Sequence, residues 1–301
     1  MDSEPLFPAL AAPGPAPALT FGDRALTYAG LASAAGTLAS RLTAAGATRV
    51  AVWATPTLET AVAVVAALRA GVPAVPLNPK SGAAELGHIV ADSEPSLVLA
   101  GAGDELPEAL AGLGRVDVVA EVADAGASGS ADTGASGPAD AGDALAPSSP
   151  ALIVYTSGTT GPPKGAVLSR RAISSTLDAL EDAWQWTDAD VLVHGLPLFH
   201  VHGLILGILG PLRRGGSVRH LGRFSTEGVA RELATGGTML FGVPTMYHRI
   251  AEEVDGEGEP VLSDAGELQR RQPEDPALLH HPRRAHVDAV LVPGAEATGP
   301  L

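Results

Sequence analysis

Cysteine is absent from the 301 residues. That removes disulfides, thiolate metal sites and a cysteine nucleophile in one step. Aromatic residues are scarce at 4%, so the core must be built from Ala, Val and Leu, which the 46% hydrophobic share supplies. Positive charge is short as well. A formal net charge of −15 is the opposite of the basic footprint that non-specific nucleic-acid binding needs, so no nucleic-acid partner is expected. Small anionic ligands stay open, because they need only a local positive pocket. Long apolar runs are missing too. The longest aliphatic run, Ala61 to Leu68, stops at Arg69, far short of a membrane span. The acidic, proline-rich start MDSEPLFPALAAPGPAP has neither the basic start nor the apolar stretch of a secretory signal. No membrane association and a cytoplasmic setting are the expectations. Lysine is rarest among the charges: Lys80 and Lys164 are the only two. A lysine inside a motif is therefore not background surface charge.

The first hundred residues alternate in type. Residues 21–27 read as a short hairpin around Gly22-Asp23. Thr27 caps an Ala/Leu-rich helix ending near Gly46, and residues 49–54 form a strand. Thr55-Pro56 reads as a helix start, with Leu58, Val62, Val65 and Leu68 on one face and Gly71 at the stop. Residues 72–77 are strand-like, and their two prolines point to an edge or a short strand. A helix over 83–91 and a strand over 96–99 follow. Repeated strand–helix units imply an α/β layered fold with mainly parallel strands.

Residues 123–150 are low-complexity Ala/Gly/Ser/Asp and read as a disordered insert within one domain, since the same alternation resumes after it. Strands are expected over 151–155 and 165–169, then a Ser169-capped helix over 170–186 with Ile173, Leu177, Leu180 and Trp184 on its buried side. A strand in VLVHGLP, an apolar helix over 202–214 interrupted by Pro211, and a strand in SVRHLG come next. Then follow a Ser225-capped helix to Ala234, a strand in TMLFGV and a helix starting at Pro244. The layout is a flexible N-terminus over 1–20, one domain over 21–252 and a divergent, aperiodic tail over 253–301. A change of reading frame would explain the tail.

TSGTTGPPKG, residues 156–165, directly follows the apolar run Ala151 to Val154. Glycines and small hydroxyls after a strand expose many backbone N–H groups, which makes a phosphate cradle, and Lys164 adds a point charge. The Walker A pattern GxxxxGK[ST] does not fit. Pro163 precedes Lys164, and Gly165 follows where Ser or Thr would hold magnesium. A P-loop NTPase is set aside on that mismatch.

The same string resembles the phosphate-loop signature of the adenylate-forming superfamily: acyl-CoA synthetases, peptide-synthetase adenylation domains and luciferases. ALRAGVPAVPLNPK (67–80), GLPLFHVHGL (195–204) and FGVPTMYHRI (241–250) agree with it, and the last two closely resemble the malonyl-CoA synthetase branch. The resemblance implies the layered α/β N-terminal domain of such an enzyme, with the C-terminal lid domain absent. It implies an AMP-forming acid–thiol ligase. A carboxylate attacks the α-phosphorus of ATP to give an acyl-adenylate and pyrophosphate, and coenzyme A then displaces AMP. ATP, Mg2+ and coenzyme A are the implied cofactors and co-substrates, and a small carboxylic acid is the partner. Thr156, Ser157, Gly158, Thr159, Thr160, Gly161 and Lys164 would hold the phosphates, and Thr156 would also touch magnesium. His200 is implied as the catalytic residue on the route to the acyl site. Gly242, Val243 and Arg249 are implied as acid-binding residues. A guanidinium suits a second carboxylate, so Arg249 points to malonate or methylmalonate. The alternative is a solvent-facing Arg249 beside Glu253 at i+4. His202 makes an H-x-H pair with His200, but without a third ligand this is no zinc site.

The chain departs from the family pattern after residue 252. Complete relatives carry a YGxTE motif, an Asp for the ribose, a hinge, and a small domain whose lysine contacts the reacting carboxylate. LVPGAEATGPL (291–301) is at most a blurred echo of the turn before the first of these, and no lysine follows Lys164. The expectation is an incomplete and inactive N-terminal portion of a ligase. A non-catalytic nucleotide- or acyl-binding module is the alternative. Oligomeric state is not legible.

Overall fold

A computed structural model describes residues 5–120, 145–156 and 162–256. Ser157, Gly158, Thr159, Thr160 and Gly161 of the glycine loop lie outside the described residues, as do insert residues 121–144 and tail residues 257–301.

Leu6, Phe7 and Leu10 are buried around a short helix α1 (Pro8–Ala11), within the stretch expected to be a flexible N-terminus, while residues 11–13 and 15–17 are exposed. β1 (Pro17–Phe21) and β2 (Arg24–Thr27) form the expected hairpin, with Gly22 at φ 58° in its turn. The Thr27 hydroxyl accepts the Gly30 N–H at 3.1 Å and caps α2 (Tyr28–Ala44). β3 (Val50–Trp53) leads into α3 (Leu58–Ala70). That helix starts later than the Thr55-Pro56 signal suggests. Thr57 is the cap, accepting the Thr60 N–H, while Thr55 Oγ1 reaches Asp104.

β4 (Ala74–Leu77), α4 (Ala83–Ser93) and β5 (Leu97–Gly101) fall where expected, and β6 (Gly114–Val118) is an addition. Only Val118 of β6 is deeply buried, so it carries no apolar run to announce it. β7 (Pro150–Thr156) and β8 (Lys164–Ser169) flank the glycine loop. Ser169 caps α5 (Arg170–Trp184) through the Ala172 N–H. Ile173 and Leu177 are buried there, while Leu180 and Trp184 are half-buried.

β9 (Val191–His194) is followed by a π-helical stretch, His202–Leu209, that passes into α6 (Gly210–Arg214). The winding changes beside Pro211, which has no N–H to continue the ladder. β10 (Ser217–His220), the Ser225-capped α7 (Thr226–Ala234), β11 (Met239–Phe241) and α8 (Pro244–Gly256) complete the described chain.

The strands form two sheets, ordered β11-β9-β10-β1-β2 and β6-β5-β3-β4-β7-β8, parallel except at β2 and β8. β4 is interior despite its prolines, so the short-strand reading holds and the edge reading does not. Val50 N–H donates to Pro73 and Ala54 N–H to Leu77, which turns Pro76 toward β7. Pairing on that side is confined to Ala74 opposite Leu152, so the missing N–H is not needed.

α3 lies between the sheets, touching β1 of one and β3, β5 and β6 of the other. Every residue from Ala61 to Leu68 is buried, so the helix is apolar all round instead of on one face. Arg170, itself buried, donates to the Leu68 carbonyl at 2.8 Å, a cation at the C-terminal end of α3.

Some glycines here exist for space. A Cβ on Gly203 would stand 2.2 Å from the Pro197 carbonyl oxygen, and backbone cannot step aside as a side chain can. Gly203→Ala is expected to cost about 2 kcal/mol, seen as a lower urea midpoint at unchanged slope. A midpoint equal to the parent's would show that the turn after β9 yields freely.

Candidate functional site

A cavity of about 430 Å³ opens where both sheets present the carboxyl ends of their strands. Its walls are Ala54–Pro56 after β3, Pro79 and Lys80 after β4, and Gly195–Phe199 after β9. Gly222–Phe224 after β10, and Thr245, Met246 and Arg249 on α8 after β11, close it. Layered α/β folds bind ligands at this end of the strands. Leu196, Leu198, Phe199, Phe224 and Met246 make much of the wall apolar, and the charged members are Lys80, Arg223 and Arg249. None of these cations forms an ion pair among the described residues, although the whole chain carries −15. Arg249 also borders a second hollow with Glu252 and Glu253 without pairing to either.

Two buried histidines stand under the floor. His194 and His220 end the paired strands β9 and β10 in register, with ring centroids 4.5 Å apart. Leu196 N–H donates to His194 Nδ1 at 3.3 Å, Gly222 N–H donates to His220 Nδ1 at 2.9 Å, and His220 Nε2 lies 3.0 Å from the Leu196 carbonyl. With Nδ1 accepting, the His220 proton sits on Nε2 and is donated to Leu196. Phe21 stacks on His220 at 4.7 Å. Burial pushes the His220 imidazole down to about 4. His194 is driven well below the usual histidine range by burial first, then by the neighbouring imidazoles of His220 and His202. Burial also lowers His202, whose Nε2 has no hydrogen-bond partner among the described residues.

The two arms of the glycine loop belong to the same sheet as the β3 and β4 walls of the cavity. β7 runs parallel to β4, so Thr156 emerges at the same end of the sheet. Thr156 and Lys164 are direct partners across β7 and β8, and both are exposed. α4 holds both arms of the loop. Tyr155 Oη donates to Asp92 at 2.5 Å, and His88 Nε2 donates to the Pro163 carbonyl at 2.9 Å. Burial, then the Asp92 carboxylate, pushes the Tyr155 hydroxyl up to about 12. Gly165 lies against that ring, where a Cβ would come within 3.0 Å.

The structure thus brings Thr156 and Lys164 together and sets Arg249 in the cavity wall. His200 does not line the cavity. It is exposed, with its ring 4.3 Å from that of Phe199, which does line it. Gly242 and Val243 are not in the wall either; Gly242 is buried against Tyr247 and Val243 is exposed. Sequence reasoning missed the place of Lys80 and Arg223, and of the two buried histidines. The available signal was position: each sits at or just past the carboxyl end of a strand, and all but His220 adjoin a glycine or proline. The described residues contain no cluster of three or more His, Asp or Glu able to hold a metal. No helix among them is long and apolar enough to cross a membrane.

Two mainly parallel sheets sharing a central helix, with a cavity over their strand ends, define the N-terminal domain of an adenylate-forming enzyme. The chain belongs to the AMP-binding enzyme family, whose profile matches residues 8–300. A malonyl-CoA ligase, solved as a ternary product complex with methylmalonyl-CoA and AMP, is 64% identical and superposes with a TM-score of 0.75 over 84% of this chain and 52% of its own. ATP-bound MatB from Rhodopseudomonas palustris is 29% identical at a TM-score of 0.67, over 81% of this chain and 49% of its own. A malonate–CoA ligase of Arabidopsis thaliana is 34% identical over 218 residues, 68% of this chain and 36% of that protein. The chain spans about half or less of the length of these relatives.

Proposed function

We propose that the site serves an ATP-dependent, AMP-forming acid–thiol ligase acting on a short dicarboxylic acid, malonate or methylmalonate. One observation carries the reading: Arg249, Lys80 and Arg223 line a largely apolar cavity without carboxylate partners among the described residues. A dianion fits that surplus better than a fatty acid does. Arg249 offers a planar fork to one carboxylate, and the apolar walls strengthen the pair by excluding water. The other carboxylate is left free to attack the α-phosphorus of ATP, forming a C–O–P bond as pyrophosphate leaves. Coenzyme A sulfur then forms the C–S bond as the bond to AMP breaks. Lys164 and the loop N–H groups would steady the charge that grows on pyrophosphate. The exposed Thr156 hydroxyl opposite Lys164 is suited to hold Mg2+, which when bound would neutralise phosphate charge. His200, next to Phe199, would border the approach of the acid. The cytoplasm, where ATP and coenzyme A are both supplied, is the proposed setting. The malonyl-CoA ligase at 64% identity supports the choice of acid.

Equilibrium dialysis of the full chain with labelled malonate tests the reading. Saturable binding should be displaced by methylmalonate and resist propionate and butyrate. Displacement by butyrate as good as by methylmalonate would discard the dicarboxylate assignment.

A further inference from the structure

The floor of the cavity is made of loop backbone, and loops need holding. Leu196 lies two residues past the end of β9, after Gly195, and Gly222 follows β10 at φ 67°, a left-handed conformation that glycine tolerates. Both residues line the cavity, and both are gripped from below by one imidazole. His220 takes the Gly222 N–H on Nδ1 and gives its own Nε2 proton to the Leu196 carbonyl. His194 takes the N–H of the same Leu196. The ring of His194 fits because position 207 is glycine, where a Cβ would approach it to 2.7 Å. The two loops also touch above: a Cβ on Gly195 would meet the Phe224 backbone at 2.9 Å.

We infer that His220 is a positioning residue for the acid pocket, a double-ended clamp that fixes the β9 and β10 loops at one spacing and so sets which acid fits below Arg249. It touches no ligand and acts only through the Leu196 and Gly222 backbone. An imidazole at this site must accept on one nitrogen and donate on the other, so only the neutral Nε2–H form serves. A primary amide can do the same, since its oxygen and nitrogen are spaced much like the two ring nitrogens. A hydrocarbon cannot. The clamp rests on the dicarboxylate reading for its ligand, but not for its backbone geometry.

The test uses the full chain and three forms: parent, His220→Leu and His220→Gln. Amide hydrogen exchange at Gly222, whose N–H His220 holds directly, and malonate affinity are read together. In His220→Leu, exchange at the Gly222 amide should speed up by about 100-fold and malonate should bind about tenfold more weakly. His220→Gln should restore most of both, a rescue that general core damage would not show. Unchanged exchange in His220→Leu, or unchanged malonate affinity beside faster exchange, overturns the clamp. If the parent binds no malonate while exchange still responds and is rescued, the loop clamp stands and the dicarboxylate reading falls. Nitrogen-15 shifts of the parent's own histidines decide the matter should His220→Leu fail to fold. Nε2 protonated with Nδ1 as acceptor upholds it, and the opposite tautomer overturns it.

Discussion

Arg249→Leu is expected to weaken malonate binding by about 100-fold. Hydrogen bonds to an ionised partner contribute about 1.5–3 kcal/mol, and each 1.4 kcal/mol is tenfold in affinity. Arg249 stands on α8 in the cavity wall with Met246 and Phe224, and no carboxylate among the described residues pairs with it. A bound dianion would therefore gain its charge-assisted bonds without breaking an ion pair first. Lys80 and Arg223 remain in the variant and keep the cavity positive, so binding falls without vanishing. Arg249→Lys retains the charge and loses the planar fork, and is expected to lose about tenfold. Titration calorimetry of the two variants against the parent checks the order. Equal affinity in all three would return Arg249 to the solvent-facing role beside Glu253.

Acid is expected to destabilise this fold well before its carboxylates are neutralised. His220 is 3% exposed with its pKa near 4, and His194 is fully buried with a pKa lower than usual. In the unfolded chain both titrate near 6.5. Between those values the unfolded state binds more protons than the folded one, so stability falls as pH drops. The contribution of His220 is fully present above about pH 6.5 and is lost as pH falls toward 4. A shift of that size corresponds to about 3 kcal/mol for His220 alone.

Asp178 and Glu59 act in a different window. Burial would raise Asp178, but its hydrogen bonds and the charges of Arg213 and Arg214 outweigh that and hold it below the usual carboxylate range. Glu59 is held down in the same way by Arg24. Their contributions disappear only in stronger acid. Urea midpoints at neutral pH and near pH 4.5 measure the histidine window, and His220→Gln should flatten part of that slope. A parallel slope in the variant would remove His220 as its source.

Much of this architecture is legible in the residues, because its signals are local. Thr27, Ser169 and Ser225 cap the helices they announce, and Gly22 turns the hairpin it announces. What escapes is non-local. Pro73 and Pro76 argue for an edge, but only the partner strand reveals that Pro76 faces a gap in pairing. β6 has no apolar run because it is a sheet edge with one buried residue. The site divides along the same line. Lys164 and Arg249 sit in recognisable strings, whereas Lys80, Arg223, His194 and His220 gain meaning only when strand ends far apart in sequence meet at one cavity. His200, prominent in its string, ends up outside the wall for the complementary reason: a turn sets its neighbour Phe199 inward.

The first hairpin has a consequence for how the chain is made. β1 finds its parallel neighbour in β10, pairing Leu19 with Val218, about 200 residues later. At roughly 5–20 residues per second of synthesis, β1 waits roughly 10–40 s for that neighbour to emerge. During that wait Ala18, Leu19 and Phe21, all buried in the finished fold, present an unpaired apolar ribbon. The other sheet can zip β3, β4 and β5 soon after each appears, since they follow one another along the chain. Birth on the ribosome therefore imposes a sequence of closure, second sheet before first. A nascent chain stalled before Ser217 carries its sticky edge open to whatever else is nearby.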